Sequence, residues 1–361
     1  MIEKHFSKHL ITLITLFFLV AMLLFSEETS VSAKNALSLC AESVIPSLFP
    51  FLVLTRIISD MRLCDPIEKL FKEFMKPVFS LNDAAITPLL LGFISGYPIG
   101  AVMCTTEYQN GQLEKREAER LLAFSNNAGP AFVLSTIGIS LFSSLKIGFA
   151  LLVIHITSAI LVGFIFRIIS PLPPSKKPYS VKNKPKAFSF AFTDSVYAAI
   201  MASLSITAYI VFFTVLTSLT DTILSAMSFS FTSNFPLLKG IFKGIFELTS
   251  GAFSLSEKAS PETAFILIST LLGWGGFCIH FQAMSFVKKT DLKMNEYFIG
   301  KLLQAAISGI IAFFTANSNL FDAICTFSET TKTDNLNTLS SLMLLFLIFV
   351  YLFSKKGGKV F

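Results

Sequence analysis

The sequence has little charge. Across 361 residues, Asp, Glu, Lys and Arg supply 14% against 53% hydrophobic residues, and mean hydropathy is +0.68. A water-soluble chain carries about 25% charged residues, so a soluble globular domain is excluded and an integral membrane chain is expected. Cysteines are few and scattered: Cys40, Cys64, Cys104, Cys278 and Cys325 form no C-x-x-C pair and no Cys/His cluster. That excludes a disulfide framework or zinc site and leaves small packing residues. There is no P-loop, no H-E-x-x-H, no G-x-S-x-G and no acid pair at useful spacing. The expectation is a protein that is not an enzyme and uses no cofactor and no metal.

Acidic residues are absent from one internal stretch. Residues 171–186, PLPPSKKPYSVKNKPK, hold five prolines and five lysines (Lys176, Lys177, Lys182, Lys184, Lys186) and no carboxylate. Lys4 and Lys8 begin the chain, and Lys355, Lys356 and Lys359 end it. The positive-inside rule places all three segments in the cytoplasm. The net charge of +6 therefore reports topology, and no basic stripe with interleaved aromatics points to nucleic acid.

Apolar segments run at roughly 10–25, 36–59, 85–105, 118–142, 146–170, 190–219, 240–256, 262–287, 297–317 and 339–354. A spanning helix needs about 20 apolar residues. The first segment follows a basic start and precedes SVSAK, a pattern shared by signal peptides and anchors; a retained first span is favoured. Residues 66–79 alternate Phe and Lys as an interfacial amphipathic helix does. The expected fold is all-α, a polytopic membrane helical bundle with two pseudo-repeated halves containing broken or re-entrant helices. The divisions are an anchor helix (1–35), a first membrane half (36–170), a cytoplasmic linker (171–190) and a second membrane half (191–361).

Two segments, 85–105 and 240–256, are cut by glycine and polar residues. In the first half GFISGYPIGA (92–101) is followed by FSNNAGPAF (124–132); in the second GIFELTSGAF (244–253) is followed by LGWGGFCIHF (272–281). Paired interruptions in matching positions of two halves point to a transporter site. Asn126 and Asn127 are the sharpest case. An unpaired amide in an apolar medium costs roughly 2–7 kcal/mol, and helical neighbours point about 100° apart, so both need protein, water or a ligand. Gly129 and Pro130 then loosen the backbone, and Pro130 leaves the Asn126 carbonyl without a helical donor. An interhelical hydrogen-bond clamp is the alternative. In SGYPIGA, Ser95, Gly96, Tyr97, Pro98 and Gly100 permit a tight break and a new helix start, whose free N–H groups favour anions.

In the second half, Glu247 is either a proton or cation site or the i,i+4 partner of Lys243; Thr249 and Ser250 add hydroxyls. Trp274, the single tryptophan, sits before Gly275 and Gly276 as a ligand-stacking ring or an interfacial anchor. His280 is a packing residue or a ligand group. Arg120 pairs with Glu117 or meets an anion at the mouth. The candidate substrate-binding residues are those named in the four motifs, from Ser95 to Pro130 and from Glu247 to His280.

The motifs SGYPIGA, EAERLLAFSNNAGPAF, ELTSGAF and LLGWGGFCIHFQ, in that order over about residues 36–316, resemble the YlbJ (SpoVV) sporulation integral membrane proteins. The positions that match are Gly96, Tyr97, Pro98, Gly100, Asn126, Asn127, Gly129 and Pro130. The resemblance implies a gate-type nucleoside-recognition domain and a role in endospore formation, passing dipicolinic acid across the outer forespore membrane. It also implies the lipid bilayer as surroundings, with a homo-oligomer or other sporulation membrane proteins as partners. A nucleoside-type transporter and a non-transporting scaffold are the competing expectations.

Overall fold

The computed structural model describes residues 2–63, 75–172, 185–226, 236–318 and 321. Most of the linker, residues 66–74 of the interfacial segment, and the last apolar segment fall outside the described residues; 75–79 are helical. Among the described residues every regular element is helical, in keeping with the all-α membrane bundle read from the sequence. The helices are α1 (Ile2–Leu24), α2 (Ser26–Leu39), α3 (Ile45–Asp60), α4 (Ile86–Ser95), α5 (Ile99–Gln109), α6 (Lys115–Ser125), α7 (Leu145–Ile169), α8 (Phe188–Ala226), α9 (Pro236–Phe246), α10 (Leu248–Lys258), α11 (Pro261–Trp274), α12 (Phe277–Val287) and α13 (Asn295–Ala316). Wider π-helical turns join α2 to α3 (Cys40–Val44) and precede α7 (Phe132–Leu141).

Among the described residues, four stretches are long and apolar enough to cross a bilayer: Leu145–Ile169, Phe188–Ile223, Pro261–Val287 and Asn295–Ala316. Their outer faces keep Phe149, Phe164, Leu204, Ile299, Leu302 and Phe314 exposed, as a lipid solvent permits. Helix α1 carries a similar apolar surface but meets α2 at 96°, so residues 9–42 do not form one straight span.

One end of the bundle is polar. Lys115 reaches Asp291 at 2.8 Å, Arg116 reaches Glu296 at 3.2 Å, and the Ser170 hydroxyl donates to Glu296 at 3.1 Å. Lys115 holds the exposed Asp291 carboxyl below its usual range, and Asp291 pushes Lys115 up, because each stabilises the other's charged form. Arg120 is buried inward of this network and donates to the carbonyls of Phe79, Ser80 and Ser170. It therefore ties three chain segments together by their carbonyl ends. Neither the Glu117 pair nor the anion at the mouth read from the sequence describes it. Glu117 instead completes a capping box with Glu114 and accepts from the backbone N–H and amide of Asn82 (3.1 and 2.8 Å).

Asn82 also donates to the Gln112 carbonyl at 3.0 Å, so the two ends of segment 82–112 are adjacent. Helices α4 and α5, of 10 and 11 residues, each reach about 15 Å, half of a ~30 Å hydrocarbon layer. They enter from the polar end, turn at Gly96–Pro98, and return. Helices α9 and α10 form the matching hairpin from the far end, where Lys239 and Lys243 pair with Asp221 near the end of α8 (3.4 and 2.5 Å). The i,i+4 pair of Lys243 with Glu247 is thus replaced, because Glu247 lies at the hairpin tip, where the helix stops. Each hairpin is followed by a broken crossing, α6 through the 126–129 break and α11–α12 through Gly275–Gly276, and then by a straight span, α7 or α13. The second set runs opposite to the first, an inverted repeat.

Packing follows this repeat. One buried cluster (Phe79, Leu121, Phe124, Val162) fills the polar half, a second (Ile137, Leu151, Leu255, Phe265, Leu272) the far half, and a third lies between α3, α5 and α8. The hairpin arms touch through glycine: a Cβ on Gly251 would lie 3.1 Å from the Gly240 carbonyl and overlap the Gly244 backbone. Gly251→Val is expected to destabilise the protein by about 1–3 kcal/mol through overpacking, read as a lower thermal unfolding midpoint in detergent. An unchanged midpoint contradicts this packing of α9 on α10.

Candidate functional site

The four breaks meet near the middle of the bundle. Gly96 has φ +85° and its backbone lies against Gly129: a Cβ there would come within 2.6 Å of the Gly129 nitrogen. The Tyr97–Pro98 peptide is cis. Tyr97 stands 3.3 Å from the position a Cβ on Gly275 would occupy, and Gly276 abuts the Phe246 carbonyl and Leu248 nitrogen at 3.3 Å in the same sense. The positive φ values of Gly275 and Gly276 (+91° and +86°) stop α11 and restart the chain as α12, a backbone path open to glycine.

A helix that stops inside lipid leaves carbonyls and N–H groups unpaired, and the motif side chains take them up. The Leu272 carbonyl, whose helical donor is lost at Gly276, accepts the Tyr97 hydroxyl at 2.8 Å. The Ile245 carbonyl accepts the Trp274 indole N–H at 3.1 Å. The Phe124 carbonyl accepts the Asn127 amide at 2.7 Å, and the Ala128 N–H donates to His155 Nε2 at 3.0 Å. Glu247 caps α10, accepting from the N–H groups of Thr249 and Ser250 (2.9 and 2.6 Å) and from the Ser250 hydroxyl (2.6 Å). Trp274 is therefore neither an interfacial anchor nor a free stacking platform: its N–H is committed to a carbonyl and its ring lies 4.2 Å, centroid to centroid, from His280.

A cavity of about 470 Å³ adjoins these breaks. Ser95, Gly96, Tyr97, Gly129, Glu247 and Thr249 form its inner wall, with Cys278 and Gln282 beside them. Its lining continues along Phe132, Ser135 and Ser140 toward the far end, and apolar residues of α2, α3 and α8 close the side. The Ser95 hydroxyl is buried without a protein partner. Of the sequence-predicted residues, Ser95, Gly96, Tyr97, Gly129, Glu247 and Thr249 are thus brought together on one wall. Gly100 lies behind it, where a Cβ would press on Asn126 Cα at 2.7 Å, and Pro98 precedes α5.

Asn126 and Asn127 are wholly buried behind that wall. Asn126 donates to the Tyr297 hydroxyl at 3.3 Å, which pairs with His280 Nδ1 at 2.9 Å. Asn127 Oδ1 accepts from Gln304 at 2.9 Å and faces the Lys301 ammonium at 3.5 Å. Sequence reasoning missed Tyr297, Lys301 and Gln304, together with His155. The signal was present: Tyr297, Lys301, Gln304 and Ser308 recur at helical spacing in an apolar segment and all face inward on α13. A lysine inside a spanning segment marks a functional position by default. Trp274→Phe removes the donor from the Ile245 carbonyl and is expected to cost about 1–3 kcal/mol, measured by thermal unfolding. Wild-type stability for that variant contradicts the role given to the indole.

Residues 41–210 match the Gate family model, described as nucleoside recognition. That stretch contains the first hairpin and first broken crossing. The chain is 26% identical over 326 residues to the sporulation integral membrane protein YlbJ of Bacillus subtilis (strain 168), with 81% of this chain and 79% of that protein covered. No solved structure matches. An apolar helical bundle whose residues 41–210 match the Gate model, and whose length aligns with YlbJ, is an integral membrane protein similar to the YlbJ sporulation integral membrane proteins.

Proposed function

We propose that the protein is a transporter, not an enzyme, and that it moves a small organic anion, with dipicolinate as the leading candidate, across the outer forespore membrane during sporulation. The observation that carries the transport reading is the 470 Å³ cavity at the junction of two oppositely oriented hairpins. Its volume is within the roughly 300–1,000 Å³ of small-molecule sites. Inverted repeats with a site at their interface suit alternating access, in which one half rocks against the other. The sporulation setting is supported by the name of the relative, and dipicolinate by the motif resemblance. The chemistry agrees: dipicolinate is a planar aromatic dianion, and a bare ion in an apolar medium costs on the order of tens of kcal/mol, so it needs a carrier.

A nucleoside is the second reading. The Gate description favours it, as do the neutral hydrogen-bonding groups of Ser95, Thr249 and Gln282 on the wall. Uptake of labelled dipicolinate into liposomes containing the purified chain separates the two. The expected result is uptake above protein-free liposomes, competed by unlabelled dipicolinate and not by uridine or adenosine. Competition by nucleosides alone supports the second reading, and absence of uptake for both solute classes contradicts transport. Gly129→Leu, which drives a side chain toward the Ser95 carbonyl and Gly96 Cα (3.0 and 3.1 Å from its Cβ), is expected to reduce uptake at least about ten-fold while the protein still reaches the membrane.

A further inference from the structure

The cavity presents a charge problem for an anion. The carboxylate among the residues that line it is Glu247, which has the wrong sign for a carboxylate guest. Lys301, which faces the ring of Tyr97, is wholly buried. Its ammonium donates to Gln304 Oε1 at 2.8 Å, faces Asn127 Oδ1 at 3.5 Å, and lies 5.5 Å from the centroid of the Tyr97 ring. Among the described residues no carboxylate lies within salt-bridge distance of it. A buried ammonium answered only by neutral oxygens and a ring face lacks its counter-charge. Gln304 and Asn127 are themselves held, since Gln304 donates to Asn127 and to the His155 carbonyl (3.4 Å), and Asn127 caps α6. The site is preformed and, among the described residues, presents no carboxylate to the lysine.

Tyr97 adjoins both this site and the cavity. Its ring lines the cavity and also faces Lys301. One hydrogen bond, from its hydroxyl to the Leu272 carbonyl, secures it. Lys301 is six residues into α13 from the polar end, whereas the cavity leads toward the far end.

We infer that Lys301, Gln304 and Asn127 form a carboxylate-binding station on the polar-end half of the pathway, and that Tyr97 is the partition between this station and the cavity. This inference rests on the anion reading given above. When the Tyr97 ring swings from Leu272, a substrate carboxylate reaches the ammonium and supplies the missing charge, while a neutral solute gains nothing there.

Titration calorimetry on the full purified chain tests it with pyridine-2,6-dicarboxylate and its uncharged analogue pyridine-2,6-dicarboxamide. The wild type is expected to bind the dicarboxylate at least about ten-fold more tightly than the dicarboxamide, the difference a charged hydrogen bond makes. Lys301→Gln keeps a donor for Gln304 and is expected to lose that preference. Retention of the preference in Lys301→Gln overturns the station and leaves the anion reading intact. A wild type with no preference for the dicarboxylate overturns both. A second variant does not depend on recovery of the first. In Tyr97→Ala, Lys301 is expected to become modifiable by a small amine-directed reagent, located by peptide mass spectrometry, with the dicarboxylate slowing modification. Lys301 left unmodified in Tyr97→Ala, under conditions that modify Lys115, overturns the partition.

Discussion

A polypeptide that interrupts its helices within a bilayer has to find partners for the released peptide groups, because lipid offers none. That requirement organises the centre of this protein. The Tyr97 hydroxyl, the Trp274 indole, the Asn127 amide, the Glu247 carboxylate and the His155 ring each meet a backbone group at an interruption. Tyr97 and Trp274 do so across the bundle, Tyr97 on α11 and Trp274 on α9. The breaks are therefore fastened to one another, and moving one element changes the hydrogen bonding of the next. A hairpin held in this way is stable enough to persist at membrane depth and has few bonds to exchange when it moves.

The inverted arrangement gives that fastening a direction. The α4–α5 hairpin comes from the polar end and the α9–α10 hairpin from the far end, with tips on a common cavity wall. Glycine permits the approach at Gly96–Gly129 and Gly244–Gly251, where backbone touches backbone. The two polar regions differ in character. The cavity has hydroxyl, amide and carboxylate groups, whereas the region behind Tyr97 holds an ammonium among amides. Glu247 lines the cavity that Tyr97 also lines, and Lys301 lies 5.5 Å from the same ring.

Much of this architecture was legible in the sequence. Glycine and polar residues within 85–105 and 240–256 are poorly suited to a continuous lipid-facing helix, and both segments turn back in the structure. The inversion was not legible, since hydropathy carries no sign of direction without the positions of the ends. The partners of single side chains were also hidden: Lys243 sits one turn from Glu247 in sequence, yet the break at Glu247 turns it toward Asp221 instead. Arg120 was read by its charge, while its environment is a set of carbonyls brought in from residues 79, 80 and 170. Asn126 and Asn127 drew attention as a pair, but Lys301 and Gln304, which pack against Asn127, escaped because their helix is otherwise strongly apolar.

The central claim is that the fastened breaks enclose a solute site and are not merely a packing solution. The most direct measurement is an electron cryomicroscopy structure of the full chain in lipid nanodiscs with saturating pyridine-2,6-dicarboxylate, compared with a ligand-free map. The account predicts a planar density in contact with Ser95, Tyr97 and Gly129 or, on the other side of a rotated Tyr97 ring, with Lys301. Identical maps in which a lipid acyl chain or protein side chains fill the cavity would contradict it.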